Sequence, residues 1–236
     1  MIKQFKNNWL LFNLNRPCIL CGIRPSTEAH LCQDCLDDLP WIGSACQRCA
    51  EPMHTDAALI CPQCQKRSPS FNQVITSFEY RFPINQLVQL AKFNGQTHYL
   101  NPLAELLGRR VQTAPKPDLI VPVPLHPKRL HERQYNQAAL VAKHLARQLG
   151  VPYSNRLLVK TKNTRHQADL NRKMRRKNLK SSFQCRGTPP ASIAVVDDVM
   201  TTGTTAAEIS RILKQSGCQQ VYIWVIARTA KELHLR

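Results

Sequence analysis

The sequence predicts an α/β protein, a doubly wound parallel sheet preceded by a small cysteine-rich zinc module of double zinc-ribbon type. Three observations predict it. Four Cys-x-x-Cys pairs crowd the first 64 residues. From Phe71 onward, runs of strand period alternate with runs of helix period. A β-branched run, Ile193 to Val196, then leads into Asp197-Asp198 and a threonine-rich turn. Strands alternating with helices build a parallel sheet that receives ligands at the carboxyl ends of its strands. The expected division is a metal module over residues 1–70 and an α/β domain over 71–236. A chain of 236 residues with 43% hydrophobic content can bury a core for such a domain plus a small appendage.

The metal module rests on Cys18/Cys21, Cys32/Cys35, Cys46/Cys49 and Cys61/Cys64, separated by ten, ten and eleven residues. A Cys-x-x-Cys turn aims two thiolates at one point, and two such turns complete a tetrahedral shell for zinc. Eight ligands therefore predict two structural zinc ions. Sequential pairing needs only short loops and is the preferred arrangement; a cross-braced one, first pair with third, stays open. A redox role would need a thioredoxin-like context that is missing here. The apolar run from Trp9 to Phe12 is too short for a signal-peptide core or a membrane span. A cytoplasmic location is therefore expected, where thiols stay reduced. His30 and His54 lie nearby, but the cysteines already fill both shells.

Alternation at Val74, Thr76, Phe78 and Tyr80 predicts a strand over Phe71–Tyr80. The stripe Ile84, Leu87, Val88 and Ala91 predicts a helix over Ile84–Phe93, ended by Asn94-Gly95. Further helices are expected over Pro102–Val111, with proline in the first turn, and Gln134–Leu149, closed by Gly150. Leu119–Val123, Ile193–Val196 and Val221–Ala227 read as buried parallel strands. Thr204–Gln215 reads as the helix between the last two, with Gly217 as its stop.

The turn between Ile193–Val196 and Thr204–Gln215 carries the chemistry. Thr201, Thr202, Gly203, Thr204 and Thr205 offer successive backbone N–H groups and hydroxyls to one concavity, and the following helix adds its positive end. A phosphate fits there. Gly203 lets the backbone approach closely. Asp197 and Asp198 would repel phosphate but accept hydrogen bonds from ribose hydroxyls. No Gly-Lys-Ser/Thr or Gly-x-Gly-x-x-Gly is present, so this is neither a Walker loop nor a dinucleotide fingerprint.

Charge is concentrated elsewhere. The net +18 comes almost wholly from residues 128–186, where sixteen basic residues face two acidic ones. Ten of them fall within Lys160–Arg186, densest at Arg172-Lys173-Met174-Arg175-Arg176-Lys177. Such concentration points to a polyanionic partner, because neutralising phosphates releases counterions. Arg172, Lys173, Arg175, Arg176 and Lys177 are the candidate nucleic-acid contacts. Counter-charging a small phosphorylated ligand would need fewer cations.

Val195–Thr205 resembles the phosphoribosyl pyrophosphate motif of type I phosphoribosyltransferases, and the chain as a whole resembles the ComF family. Three further stretches carry the likeness: Val121-Pro122-Val123-Pro124-Leu125-His126; Arg133-Gln134-Tyr135-Asn136-Gln137-Ala138, with Gln134 where the family has glycine; and Gln167, Leu170, Arg175, Asn178 and Phe183 at the family's spacing. The resemblance implies a phosphoribosyltransferase-like domain behind the zinc module, with residues 160–186 as a hood over the acceptor side. By it, Asp197 and Asp198 hold the ribose hydroxyls and Thr201–Thr205 the 5′-phosphate. Arg133 faces the pyrophosphate, with Lys128 and Arg129 as further counter-charges, and Mg²⁺ accompanies the ligand. The implied role is handling of incoming single-stranded DNA in natural transformation. An active transferase using a nucleobase stays open, with Asp197 and Asp198 as catalytic residues. So does an adaptor whose zinc module docks a DNA-uptake helicase or another competence protein.

Overall fold

The computed structural model describes residues 17–53, 59–162 and 182–230. In chain order its elements are α1 (Gln33–Asp37), α2 (Pro62–Lys66), β1 (Gln73–Glu79), α3 (Ile84–Phe93), a 3₁₀ turn (Thr97–Tyr99), α4 (Leu100–Val111) and β2 (Leu119–Pro122). There follow α5 (Pro127–Arg133), α6 (Gln137–Leu149), β3 (Leu158–Lys160), β4 (Phe183–Cys185), β5 (Ser192–Met200), α7 (Thr204–Gln215) and β6 (Gln220–Arg228). β1, β6, β5 and β2 lie side by side in that order, all parallel. β3 and β4 form a separate antiparallel hairpin.

Register explains how the sheet acquires two cores. Val74, Ile223, Val195 and Val121 stand in one row across all four strands. With period-two alternation they share one face. There they pack with Ile209 and Leu213 of α7, with Leu158 and Phe183 of the hairpin, and with Cys46, Cys49, Cys61 and Cys64. The next row includes Trp224 and Val196, which face the other way. They join Leu87 and Val88 of α3, Leu103 and Leu107 of α4, Val141 and Leu145 of α6, and Cys18 and Cys32. Helices cover both faces, as a doubly wound sheet requires, and each face also receives one cysteine cluster.

Both sheet edges are closed. Residues 40–48 run beside β1, with Ile42 N–H donating to Ser77 O at 2.8 Å, Glu79 N–H to Pro40 O at 2.8 Å and Val74 N–H to Arg48 O at 2.9 Å. Trp41 seals the join, its ring 4.7 Å from that of Phe78. At the far edge Ile120 N–H donates to Pro152 O, and Ile120 O accepts from Ser154 N–H. Unpaired strand edges invite pairing between chains, and here the two connections remove them.

Several boundaries depart from expectation. α6 begins at Gln137 rather than Gln134, because the separate helix α5 precedes it, starting at Pro127 and ending where Gln134 turns left-handed at φ 66°. Gln134 stands where the motif this stretch resembles has glycine, and it adopts the positive φ that glycine reaches without strain. Its N–H donates to Leu130 O, and its Nε2 donates to His131 O at 2.6 Å, which fastens the turn. β5 does not stop at Val196; it continues through both aspartates to Met200, held by pairing of Asp197 with Val225 and Met200 with Arg228.

The two cysteine modules share a knuckle. Gly22 follows Cys21 at φ 68°, and Ala50 follows Cys49 at φ 51°. Each donates its N–H to the carbonyl of the first cysteine, Cys18 or Cys46, at 2.8 Å. Alanine in this conformation is strained where glycine is not. Ala50→Gly is expected to stabilise the fold by about 0.5–1 kcal/mol, read as a raised denaturant midpoint at unchanged slope.

Candidate functional site

The eight predicted metal ligands assemble as two clusters, Cys18-Cys21-Cys32-Cys35 and Cys46-Cys49-Cys61-Cys64, with the sulfurs of each within 4.8 Å of one another. The pairing is sequential. Cys21 and Cys32 Sγ stand 3.8 Å apart, Cys49 and Cys61 Sγ 3.6 Å, and no cysteine forms a disulfide. A tetrahedron with Zn–S bonds of about 2.3 Å has edges of about 3.8 Å, so the spacing suits zinc. The protonation chemistry suits it too. Backbone N–H groups of Arg24 and Ile23 pull Cys21 down to about 6, while burial and the neighbouring cysteines push Cys35 up. Four crowded sulfurs ionise together only around a cation.

The second site lies at the carboxyl ends of the sheet, in a cavity of about 380 Å³ lined by Asp197, Asp198 and Thr201 to Thr205. Because the aspartates are consecutive in β5, they leave it on opposite sides. Asp198 is buried and pairs with Lys92 of α3, Oδ2 to Nζ 3.5 Å. Asp197 faces the field of Lys160 on β3. Behind them Gly203 takes φ 73° as the residue before α7. The positive φ calls for glycine there; a Cβ would also meet Met200 Cε at 2.6 Å, a contact the flexible methionine end can relieve. Thr202 and Thr204 hydroxyls share a hydrogen bond at 2.8 Å, and Thr204 N–H donates to Thr202 Oγ1.

Arg133 and Arg129 line the same cavity, whereas Lys128 is not among its walls. Arg133 lies over the Phe93 ring at 5.5 Å from its centroid. The rest of the Arg133–Ala138 stretch holds the site together. Tyr135 donates its hydroxyl hydrogen to Ala91 O, Asn136 Nδ2 donates to Val123 O at 3.0 Å, and Gln137 Nε2 donates to Lys92 O. These bonds tie the exit of β2 and the start of α6 to the end of α3 that carries Lys92. Lys92, Phe93 and Tyr80 also line the cavity, although the sequence does not single them out for it. They arrive from α3 and from just beyond β1, whose apolar patterns advertise only core.

Asp197 shows the electrostatic cost of the arrangement. Withdrawal from water and the adjacent charge of Asp198 push its carboxyl up to about 8, against the pull of Lys92. A raised carboxyl group stabilises the fold at low pH, and that stability is lost as pH rises toward about 8. The melting temperature of the native chain is therefore expected to fall more steeply between about pH 5.5 and 8.5 than that of Asp197→Asn. Parallel curves would contradict this assignment.

Arg172, Lys173, Arg175, Arg176 and Lys177 lie outside the described residues, as do Gln167, Leu170 and Asn178. The hairpin flanking them is described. Thr161 N–H donates to Ser182 O at 2.9 Å, and Lys160 and Phe183 both line the cavity. The two ends of the basic segment thus meet at the rim of the aspartate–threonine site.

Residues 10–65 match the double zinc ribbon domain, and residues 135–234 match the phosphoribosyl transferase domain. Competence protein F of Haemophilus influenzae is 34% identical over 91% of this chain and 97% of its own length. The chain belongs to the ComF family. The DNA utilization protein YhgH of Salmonella typhi is 31% identical over 90% of this ComF chain and 96% of its own. A purine phosphoribosyltransferase from Pyrococcus horikoshii superposes with a TM-score of 0.36 at 16% identity, over 56% of this chain and 84% of its own. The ComF chain carries two Cys₄ zinc sites ahead of a phosphoribosyltransferase-like domain. Among its described residues no helix is long and apolar enough to cross a membrane.

Proposed function

We propose that this ComF protein handles incoming single-stranded DNA in the cytoplasm during natural transformation or DNA utilisation, and that phosphoribosyl pyrophosphate with Mg²⁺ is its small ligand. One observation carries the reading. The cavity that joins two carboxylates to a threonine-rich helix start is also the place where both ends of the basic segment are fastened. In this reading Asp197 and Asp198 accept the ribose hydroxyls, exchanging Lys92 for ligand. Thr201–Thr205 take the 5′-phosphate, and Arg129, Arg133 and Lys160 meet the pyrophosphate. Mg²⁺ bound with that ligand would supply positive charge that favours the ionised form of Asp197. DNA held by the basic segment would load a stretch of chain whose two ends are fastened at that rim, and any effect of one ligand on the other's affinity would be reciprocal.

Calorimetry of phosphoribosyl pyrophosphate in MgCl₂, with and without a single-stranded oligonucleotide, tests both parts. The expected result is one sugar-phosphate site per chain, salt-sensitive DNA binding, and a severalfold reciprocal effect. Absence of sugar-phosphate binding would overturn the ligand assignment, and salt-independent DNA binding the hood assignment.

A second reading, an active transferase, is favoured by one aromatic wall. Phe93 is 63% exposed beside the cavity, so a planar acceptor has a surface to stack on. Release of pyrophosphate on addition of a nucleobase would support it.

A further inference from the structure

Arg228, the last residue of β6, is 1% exposed and among the largest fully buried side chains of the protein. A guanidinium so enclosed must place its N–H groups on acceptors. It places them on two segments far apart in sequence. Nε donates to Cys49 O at 3.2 Å and Nη2 to Glu51 Oε2 at 2.5 Å, both in the second zinc module. Nη1 donates to Met200 O at 3.0 Å, to Thr201 O, and to Thr229 O at 2.7 Å. Cys49 is itself a predicted zinc ligand, and the Glu51 carbonyl accepts from the N–H of Cys46, another one. One side chain thus spans from the metal knuckle to the first residue of the threonine loop.

The consequence follows from peptide geometry. A trans peptide points its C=O and N–H in opposite directions. Holding the Met200 and Thr201 carbonyls toward Arg228 therefore turns the N–H groups of Thr201 and Thr202 away from it. Arg228 lies in the wall of a separate crevice of about 530 Å³ between the second zinc module and α7, which Cys49, Cys64, Thr202 and Gly203 also line. Thr202 and Gly203 line the aspartate cavity as well. The loop is a partition between the two spaces, held from the zinc side.

We propose that Arg228 is a positioning residue that couples the second zinc centre to the threonine loop, so that losing that zinc loosens the loop although no cysteine touches its ligand. The functional consequence rests on the sugar-phosphate reading above; the coupling itself does not. Hydrogen–deuterium exchange of the full, ligand-free protein measures it directly. Arg228→Lys keeps the charge but loses the planar fork. It is expected to retain two zinc ions, leave β2 exchange unchanged, and speed exchange of residues 201–205 at least fivefold. Glu51→Gln, a milder change that leaves arginine in place, is expected to give a smaller increase in the same segment. Cys64→Ser is expected to speed loop exchange beyond any change in β2 in the native background, and to add nothing to that excess over β2 in the Arg228→Lys background, as two steps of one linkage should. Unchanged loop exchange in zinc-loaded Arg228→Lys overturns the coupling, and so does full additivity with Cys64→Ser. Should Arg228→Lys fail to fold, Glu51→Gln combined with Cys64→Ser decides by the same criterion. Titration of phosphoribosyl pyrophosphate into the same variants tests the ligand reading independently. Failure of the native chain to bind would refute that reading while the exchange data still judge the linkage.

Discussion

Stripping both zinc ions with a strong chelator is expected to lower the melting temperature of the whole chain by more than about 10 °C and to drive it toward aggregation. Structural zinc contributes on the order of 10–16 kcal/mol in small zinc domains, against about 5–15 kcal/mol for the stability of an entire domain. In this fold the loss would not stay local. Cys46, Cys49, Cys61 and Cys64 are buried in the core that includes Val195 and Ile223, and Cys18 and Cys32 in the core that includes Phe78 and Trp224. Without zinc, each face of the sheet would have to accommodate a crowd of thiols whose burial and mutual repulsion push Cys35 and Cys64 upward. Calorimetric or circular-dichroism melts with and without chelator read the effect. A shift under about 2 °C would show that the sheet stands alone.

Replacing Asp197 and Asp198 together by alanine is expected to weaken phosphoribosyl pyrophosphate binding at least 100-fold while raising the stability of the ligand-free protein. Two hydrogen bonds to charged carboxylates are worth roughly 1.5–3 kcal/mol each, enough for that factor. The stability gain has a different origin: Asp197 sits in surroundings that oppose its charge, beside a second carboxylate. Residues kept for a ligand commonly cost the empty protein stability. The double variant thus separates binding from folding, since a merely misfolded protein would lose both. Binding within tenfold of native, measured by calorimetry, would remove the aspartates from the site.

Much of this fold is legible in the sequence because buried faces write their period into the chain. α3 and α7 fall on the residues their apolar stripes predict, Ile84–Phe93 and Thr204–Gln215. β5 reads four residues short because Asp197 and Asp198 interrupt its apolar run, while backbone pairing with β6 carries the strand on to Met200. The β3–β4 hairpin has strands of three residues, too short for any period to show. α5 hides in what reads as a loop, since Gln134 takes the left-handed turn usually marked by glycine. Of the site, the contiguous parts are visible: both aspartates, the threonine loop, Arg133 and all eight cysteines. Lys92 and Arg228 carry no such signal, because each joins a neighbourhood that exists only after distant elements meet.

The segment that runs beside β1 has a temporal meaning. It is synthesised before every strand of the sheet, and folding largely follows the order of synthesis. Its metal knuckles can close before β6, the inner partner of β1, has been made. The earliest strand of the sheet would then emerge onto a ready template instead of waiting with a bare flank. Cellular zinc supply would in that case govern how much of this protein matures, acting during its manufacture rather than on the finished molecule.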